Sequence, residues 1–220
     1  MATYQEIKGG KLKNYTEDPD NPYIGQLWYN TTVHGFRIRK STLGSSWSSG
    51  GNLNTARAAL MGAGTQTAGL AFGGANPDAV NNTEQYDGTS WTEVNNLNTA
   101  RAFGGRAGAT NTAALCIGGT NVNNELWNGT NWTELGDLNT AKRDQASGGT
   151  TTAAIAAGGG PPATTTTELW DGSSWTETTD MNTARNEMTG SAAVNTAAIA
   201  FGGTLPPGRL GNTQVWNGAA

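Results

Sequence analysis

The sequence holds one cysteine, one histidine and no long apolar run, and each shortage removes a class of protein. A single cysteine cannot build an internal disulfide framework, and with a single histidine it cannot supply a Cys/His zinc site. No apolar stretch approaches the ~20 residues that cross a bilayer as a helix, so membrane insertion is not expected. Residues 1–10 lack the apolar segment of a secretory signal, which argues against export by that route. Charge is scarce as well. Charged side chains make up 14% of the 220 residues and the net charge is -4, so neither nucleic acid nor an anionic membrane is expected as the main partner.

Apolar residues reach only 35%, a level that raises the question of disorder. Disordered chains, however, combine high net charge with few aromatics, whereas this one carries eight Trp and little charge. Its polarity comes from Thr, Asn, Ser and 32 Gly, the residues of β-structure rich in tight turns. Internal repetition explains how so few large side chains suffice. Asn54-Thr-Ala-Arg57 returns as Asn98-Thr-Ala-Arg101, Asn139-Thr-Ala-Lys142 and Asn182-Thr-Ala-Arg185, at intervals of 44, 41 and 43 residues. Trp47, Trp91, Trp132 and Trp175 keep the same intervals. The diglycines Gly73-Gly74, Gly118-Gly119, Gly158-Gly159 and Gly202-Gly203 recur at similar spacing, as do the turn pairs Asp87-Gly88, Asn128-Gly129 and Asp171-Gly172, with Asn217-Gly218 near the end. Repeats with a period in the forties signal a stacked or circular array.

Each unit reads as four short strands. In the first, residues 57–64 lead into a small-residue strand, 67–72, closed by an aromatic and two glycines. A variable loop, 75–82, precedes a strand over 83–86, and Asp87-Gly88 then makes a hairpin to a strand over 91–94. Four-stranded units of this length predict an all-β fold, a four-bladed β-propeller. The order diglycine, Tyr or Trp with Asp-Gly or Asn-Gly, Trp, then Arg opening the next unit resembles the kelch repeat. The repeats divide the chain into an extension, residues 1–44, and a propeller, 45–220. The last unit stops at Trp216-Asn217-Gly218, where an outer Ser-Trp strand is due, while Ser46-Trp47-Ser48 stands before the first unit. The expectation is therefore a ring closed by an N-terminal strand that completes the C-terminal blade, with exchange of that strand between chains, giving a homo-oligomer, as the alternative.

The extension holds six of the 13 basic residues: Lys8, Lys11, Lys13, Arg37, Arg39 and Lys40. After the turn-rich Asp18-Pro-Asp-Asn-Pro22, residues 25–32 and 36–39 predict a hairpin around His34-Gly35. A basic segment outside the ring suits docking to a partner, and an extra hairpin on the last blade is the plainer reading. Asn21-Pro-Tyr-Ile-Gly-Gln-Leu-Trp-Tyr-Asn30 followed by four Asn-Thr-Ala-Arg/Lys units is similar to proteins of marine tailed bacteriophages. That resemblance implies a virion structural or tail-associated protein, held to other virion proteins through the extension.

Nothing in the sequence assembles a catalytic set. His34 falls in a predicted turn, and Cys116 falls in a small-residue strand as a buried thiol. The resemblance to kelch-type copper oxidases stops at the fold, because their metal site uses two His and a Tyr-Cys pair; no cofactor is expected. Glu84, Glu125 and Glu168 share one repeat position, Gln214 taking it in the fourth unit, and Glu93, Glu134 and Glu177 share another. Glycosidases need two close carboxylates in unlike environments, and these are spread by the repeat. No enzyme is expected.

The candidate ligand residues are Arg57, Arg101, Lys142 and Arg185, one at each crossover between units. Arginines at the matching position of ligand-binding kelch domains line an axial pocket for carboxylates, so the resemblance implies an anion or glycan site here, with host surface glycan as a partner. The other role for each cation is to pair with a glutamate and brace the blade junction. Loops 75–82, 120–123, 160–166 and 204–212 vary while the scaffold repeats, a common arrangement for specificity. The expectation is a non-enzymatic virion protein that presents a recognition surface, and the alternative is a purely structural decoration protein.

Overall fold

The computed structural model describes residues 14–19, 26–38 and 47–218. The chain forms two compact units that part between Ser49 and Gly50. Both are built from strands, and no helix occurs among the described residues.

In the first unit, β1 (Asn14–Tyr15) pairs in parallel with β2 (Leu27–Asn30), which forms an antiparallel hairpin with β3 (Gly35–Ile38). The hairpin turns around His34-Gly35, where His34 takes a left-handed conformation with φ of 50°. One face of the hairpin is tied down. Asp18 Oδ1 accepts from the Trp28 indole at 3.0 Å and from Asn30 Nδ2 at 2.9 Å, and Trp28 is buried. On the other face Leu27 stands opposite Ile38 and Tyr29 opposite Phe36, and Leu27, Phe36 and Ile38 are exposed.

The second unit repeats one antiparallel sheet. The first is β4 (Met61–Thr65), β5 (Ala68–Phe72), β6 (Thr83–Tyr86) and β7 (Trp91–Val94). The second is β8 (Gly105–Thr110), β9 (Ala113–Ile117), β10 (Asn124–Trp127) and β11 (Trp132–Glu134). The third is β12 (Ala146–Gly149), β13 (Ala154–Ala157), β14 (Thr167–Trp170) and β15 (Trp175–Thr178). The fourth has three strands, β16 (Thr189–Val194), β17 (Ala197–Phe201) and β20 (Thr213–Trp216); between the last two, β18 (Thr204–Leu205) and β19 (Gly208–Arg209) form a small hairpin in what the sequence presents as a loop.

The first strands of the sheets pack in chain order, β4 on β8, β8 on β12 and β12 on β16, with no comparable packing of β16 on β4. Alternate residues of each sheet face its two neighbours. Leu70 and Phe72 thus meet Ala114, Cys116, Trp127 and Trp132 across the first junction, while Leu115 and Ile117 meet Ala154, Ala156, Trp170 and Trp175 across the second. The third junction has a thin core of Ala146, Met188 and Ala200. Small residues in the second strands leave room for the indoles, each of which contributes on the order of 1.5–3 kcal/mol of burial.

Among the described residues, no strand completes the fourth sheet. The fourth sheet ends at β20, residues 47–50 form no strand, and Trp47 is fully exposed.

Candidate functional site

The repeated Asn-Thr-Ala-Arg segment is a clamp on the sheet that it enters. Arg57 pairs with Glu84 of β6, and the same carboxylate accepts from Asn54 N at 2.7 Å and Asn54 Nδ2 at 2.9 Å. Asn54 Nδ2 also reaches the Trp91 carbonyl at 2.9 Å, joining the fourth strand to the third. The second sheet repeats the set with Arg101, Glu125 and Asn98, and the third with Lys142, Glu168 and Asn139. Lys142 Nζ lies 3.5 Å from Glu168 and donates to the Thr166 carbonyl at 3.0 Å. In these pairs the side chains are at most 1% exposed.

The structure therefore places Arg57, Arg101 and Lys142 inside the sheets, against carboxylates, and not at a solvent-facing axial pocket. The cause is the third-strand glutamate, which sits where the guanidinium can reach it and leaves no free fork for a ligand. Arg185 is buried too, but its partner position holds Gln214. Its Nη1 donates to the Gly202 and Asn212 carbonyls at 3.0 and 2.9 Å, while Nε and Nη2 have no hydrogen-bond partner. Burial pulls the Lys142 ammonium below its usual range, and Glu168 opposes that shift. The Cys116 thiol is pushed up to about 12 by burial, which makes it an inert core group.

The two glutamate series turn out to be cross-strand partners: Glu84 with Glu93, Glu125 with Glu134, Glu168 with Glu177. Like charges opposite one another repel, and the buried cation offsets this. Burial pushes Glu84 up, yet hydrogen bonds from Arg57 and from the Asn54 amide outweigh it and hold the carboxyl below its ordinary value. An ionised carboxylate locked on three donors is a structural anion. The rim partner Glu93 accepts instead from Asn82 Nδ2 at 3.0 Å.

Junctions between sheets use the diglycines. Gly74, Gly119 and Gly159 donate to the carbonyls of Arg101, Lys142 and Arg185 at 2.9, 2.7 and 2.9 Å. A methyl group on Gly73 would lie 2.6 Å from the Arg101 carbonyl, so the close approach requires glycine. Ala59, Phe103, Asp144 and Glu187 are four non-glycine residues at one repeat position with φ of 50–60°, and a second chain of bonds links the first three and continues to Met188, whose amide donates to the Asp144 carbonyl at 3.4 Å. Phe103 N donates to the Ala59 carbonyl at 3.0 Å and Asp144 N to the Phe103 carbonyl at 2.8 Å.

That second chain brings up exposed chemistry which the repeat pattern does not reveal. Phe103 is 42% exposed, and the Arg143 guanidinium lies 5.4 Å above its ring. Arg143 also borders a cleft of about 200 Å³ with Gly119, Thr120, Ala141, Gly160 and Pro161, between the loops that follow two diglycines. Arg143, with its Nε 3.4 Å from Asp144 Oδ2, stays half-exposed, and together with the nearby Phe103 ring and the cleft it offers a surface suited to a polar ligand with an anionic or carbohydrate group. The only sequence signal for Arg143 is its departure from the repeat, since alanine or asparagine follows the other three cations.

Of the six docking candidates, Arg37 is exposed on β3 opposite Trp28. Lys8, Lys11, Lys13, Arg39 and Lys40 lie outside the described residues.

Acid should loosen the second unit from its turns and its first clamp together. Amides of Ser90 and Thr89 hold Asp87 below its usual value, and the Ser174 amide with the Ser173 hydroxyl and amide lowers Asp171 to about 2. With Glu84 also lowered, these groups stabilise the fold above the ordinary carboxylate range, and that contribution is lost as pH falls from about 4 toward 2. Thermal melting followed across that window should show a steady fall and little change from pH 7 to 5. A melting temperature flat down to pH 2 would refute it.

No protein-family model matches the chain, and no curated protein is significantly similar to it.

Proposed function

We propose that the four sheets are blades of a kelch-like β-propeller and that the protein is a non-enzymatic component of a phage virion, tail-associated, which presents a recognition surface to a host glycan. The observation that carries this reading is the cleft bordered by Arg143, whose guanidinium also lies over the exposed Phe103 ring, between non-repeating loops on a repeating scaffold. Its chemistry fits an acidic sugar: the guanidinium meets a carboxylate while the ring supports the apolar face of a pyranose.

The N-terminal hairpin supplies the anchor to other virion proteins. Its face of Leu27, Tyr29, Phe36 and Ile38 leaves Phe36 68% exposed, a cost in water that docking relieves. A second reading, a decoration or assembly protein without a host ligand, is favoured by the burial of the repeated cations, which removes four charges from the ligand-facing inventory.

Immunogold labelling of intact virions with an antibody to residues 50–218 tests both. Gold at the tail supports the recognition role, and Arg143→Ala should then lower attachment to host cells about tenfold with melting unchanged. Gold over the capsid supports the decoration role. Unlabelled particles overturn the virion assignment.

A further inference from the structure

The third junction lacks one side chain that the first two possess. At the first junction the Trp132 indole fills a site made by Leu70, Phe72 and Thr83 of one sheet and Ala114, Cys116 and Trp127 of the next. Its ring lies 4.9 Å from Phe72 and 5.4 Å from Trp127, and its Nε1 donates to Thr83 Oγ1 at 3.0 Å. The repeat maps these six residues onto Ile155, Ala157, Thr167, Ala198, Ala200 and Trp216. All six line a single groove of about 210 Å³ between the third and fourth sheets, with β20 as its unpaired edge. An apolar cavity of ~150 Å³ already takes up a benzene ring, so an indole fits. Met181, which holds the place of Leu97 in the first junction, lines it as well.

The polar groups of the site are also in place. Asn98 and Asn139 donate through Nδ2 to the carbonyls of Trp132 and Trp175, the first residues of the fourth strands. Asn182 is their counterpart; its backbone amide already donates to Gln214 Oε1 at 2.8 Å, and the residue lines the groove.

The chain contains one matching segment, Trp47-Ser48-Ser49, in the register of Trp91-Thr92-Glu93. Trp47 is fully exposed. The residues after it fix which side of the array it serves. Gly50 lies against the Tyr86 hydroxyl and Gly51 against the Thr89 carbonyl, just as Gly136 lies against Ser173 and Trp170 of the following sheet. Trp47 therefore belongs to a sheet placed before the first one. The opposite end of the array shows the complementary face: Ile199, Phe201 and Val215 are exposed, at the positions where Leu115 and Ile117 are wholly buried by the next sheet. Since β16 does not pack on β4, the two end faces do not meet within one chain.

We propose that they meet between chains: the groove and the edge of β20 receive Trp47-Ser48-Ser49 of a second copy, whose first sheet covers Ile199, Phe201 and Val215. The Trp47 indole donates to Thr167 Oγ1, Asn182 Nδ2 donates to the Trp47 carbonyl, and Ser48 pairs with Val215. The Gly203 amide then meets the Arg57 carbonyl of the second copy, as the other diglycines meet the next cation. The contact is head-to-tail, so copies join into a ring or a longer array according to the rotation each adds.

Mass measurement in solution tests this directly. The full-length protein should run at twice 22.7 kDa or more at micromolar concentration, and Trp47→Ala should return it to one copy. Val215→Arg, on an exposed edge where folding is not at risk, should do the same. Ser48→Cys with Val215→Cys should give a disulfide between chains on mild oxidation, because antiparallel partners stand about 5.5 Å apart, within disulfide reach. A monomeric wild type, an assembly that survives both Trp47→Ala and Val215→Arg, or a disulfide confined to single chains would each overturn the proposal.

Discussion

Glu125→Ala is expected to destabilise the second unit by about 3–5 kcal/mol, the cost of leaving a buried charge without its partner. The Arg101 side chain is fully buried, and with Glu125 gone its remaining bonds are to carbonyls, chiefly Asn123 at 2.6 Å. The same change strips the Asn98 amide and side chain of their acceptor, at 2.8 and 2.9 Å, and so frees the crossover from the sheet. In a domain of this size that loss corresponds to a melting temperature lower by roughly 6–20 °C. The pair as a whole need not outdo an apolar pair of equal volume; the cost comes from breaking it by halves. Glu125→Gln should cost less, because the fourth sheet already works with an amide at this position: Gln214 accepts from the Asn182 amide at 2.8 Å beside Arg185. The converse change, Gln214→Glu, should raise stability, since Arg185 has two nitrogens without partners. Calorimetric melting of the three variants checks the order. A Glu125→Ala protein that melts within 2 °C of wild type, a shift below ~1 kcal/mol, would show that the clamp is not a structural element.

How far the sequence reveals this arrangement depends on whether the information is local. Residues 83–86 and 91–94 read as strands and form β6 and β7 with those bounds, because Asp87-Gly88 sets a hairpin turn and the register follows from it. The first strand of each unit is less legible. Residues 57–64 read as one strand, whereas β4 begins at Met61, since Arg57 is held in the clamp and Ala59 takes a left-handed conformation. Of the four residues there only aspartate tolerates that conformation well; for alanine, phenylalanine and glutamate no propensity favours it, and the bonds passed from one sheet to the next accompany it.

The clamp itself is written in the sequence, as a cation matched to a glutamate in three units and a glutamine facing Arg185 in the fourth. What the sequence leaves open is depth. A crossover cation can face the axis or the sheet at the same spacing, and only the packed structure places it. Phe103 and Arg143 escape for the opposite reason, since a repeat directs attention to what recurs and these two do not.

The largest packing effect is expected at the third-strand tryptophans, and it should depend on the unit. Trp170 is wholly buried, its ring 5.5 Å from Trp175 and its Nε1 on the Thr151 carbonyl at 3.0 Å. Trp170→Ala removes the indole from a site closed on all sides, and the cost expected is about 3–5 kcal/mol. Trp216 occupies the same repeat position and keeps the equivalent bond, from its Nε1 to the Asn195 carbonyl at 2.8 Å. Its outer face, however, borders the open groove, where Trp170 has Trp175. Much of the transfer gain is therefore absent at Trp216, and Trp216→Ala in the Trp47→Ala background should cost less than half as much. Urea unfolding followed by circular dichroism gives both values. If the two substitutions prove equal, the groove closes in solution by rearrangement of the fourth sheet and not by a strand from outside. If the cost of Trp216→Ala grows when Trp47 is restored, the increment measures the indole contact made across the junction.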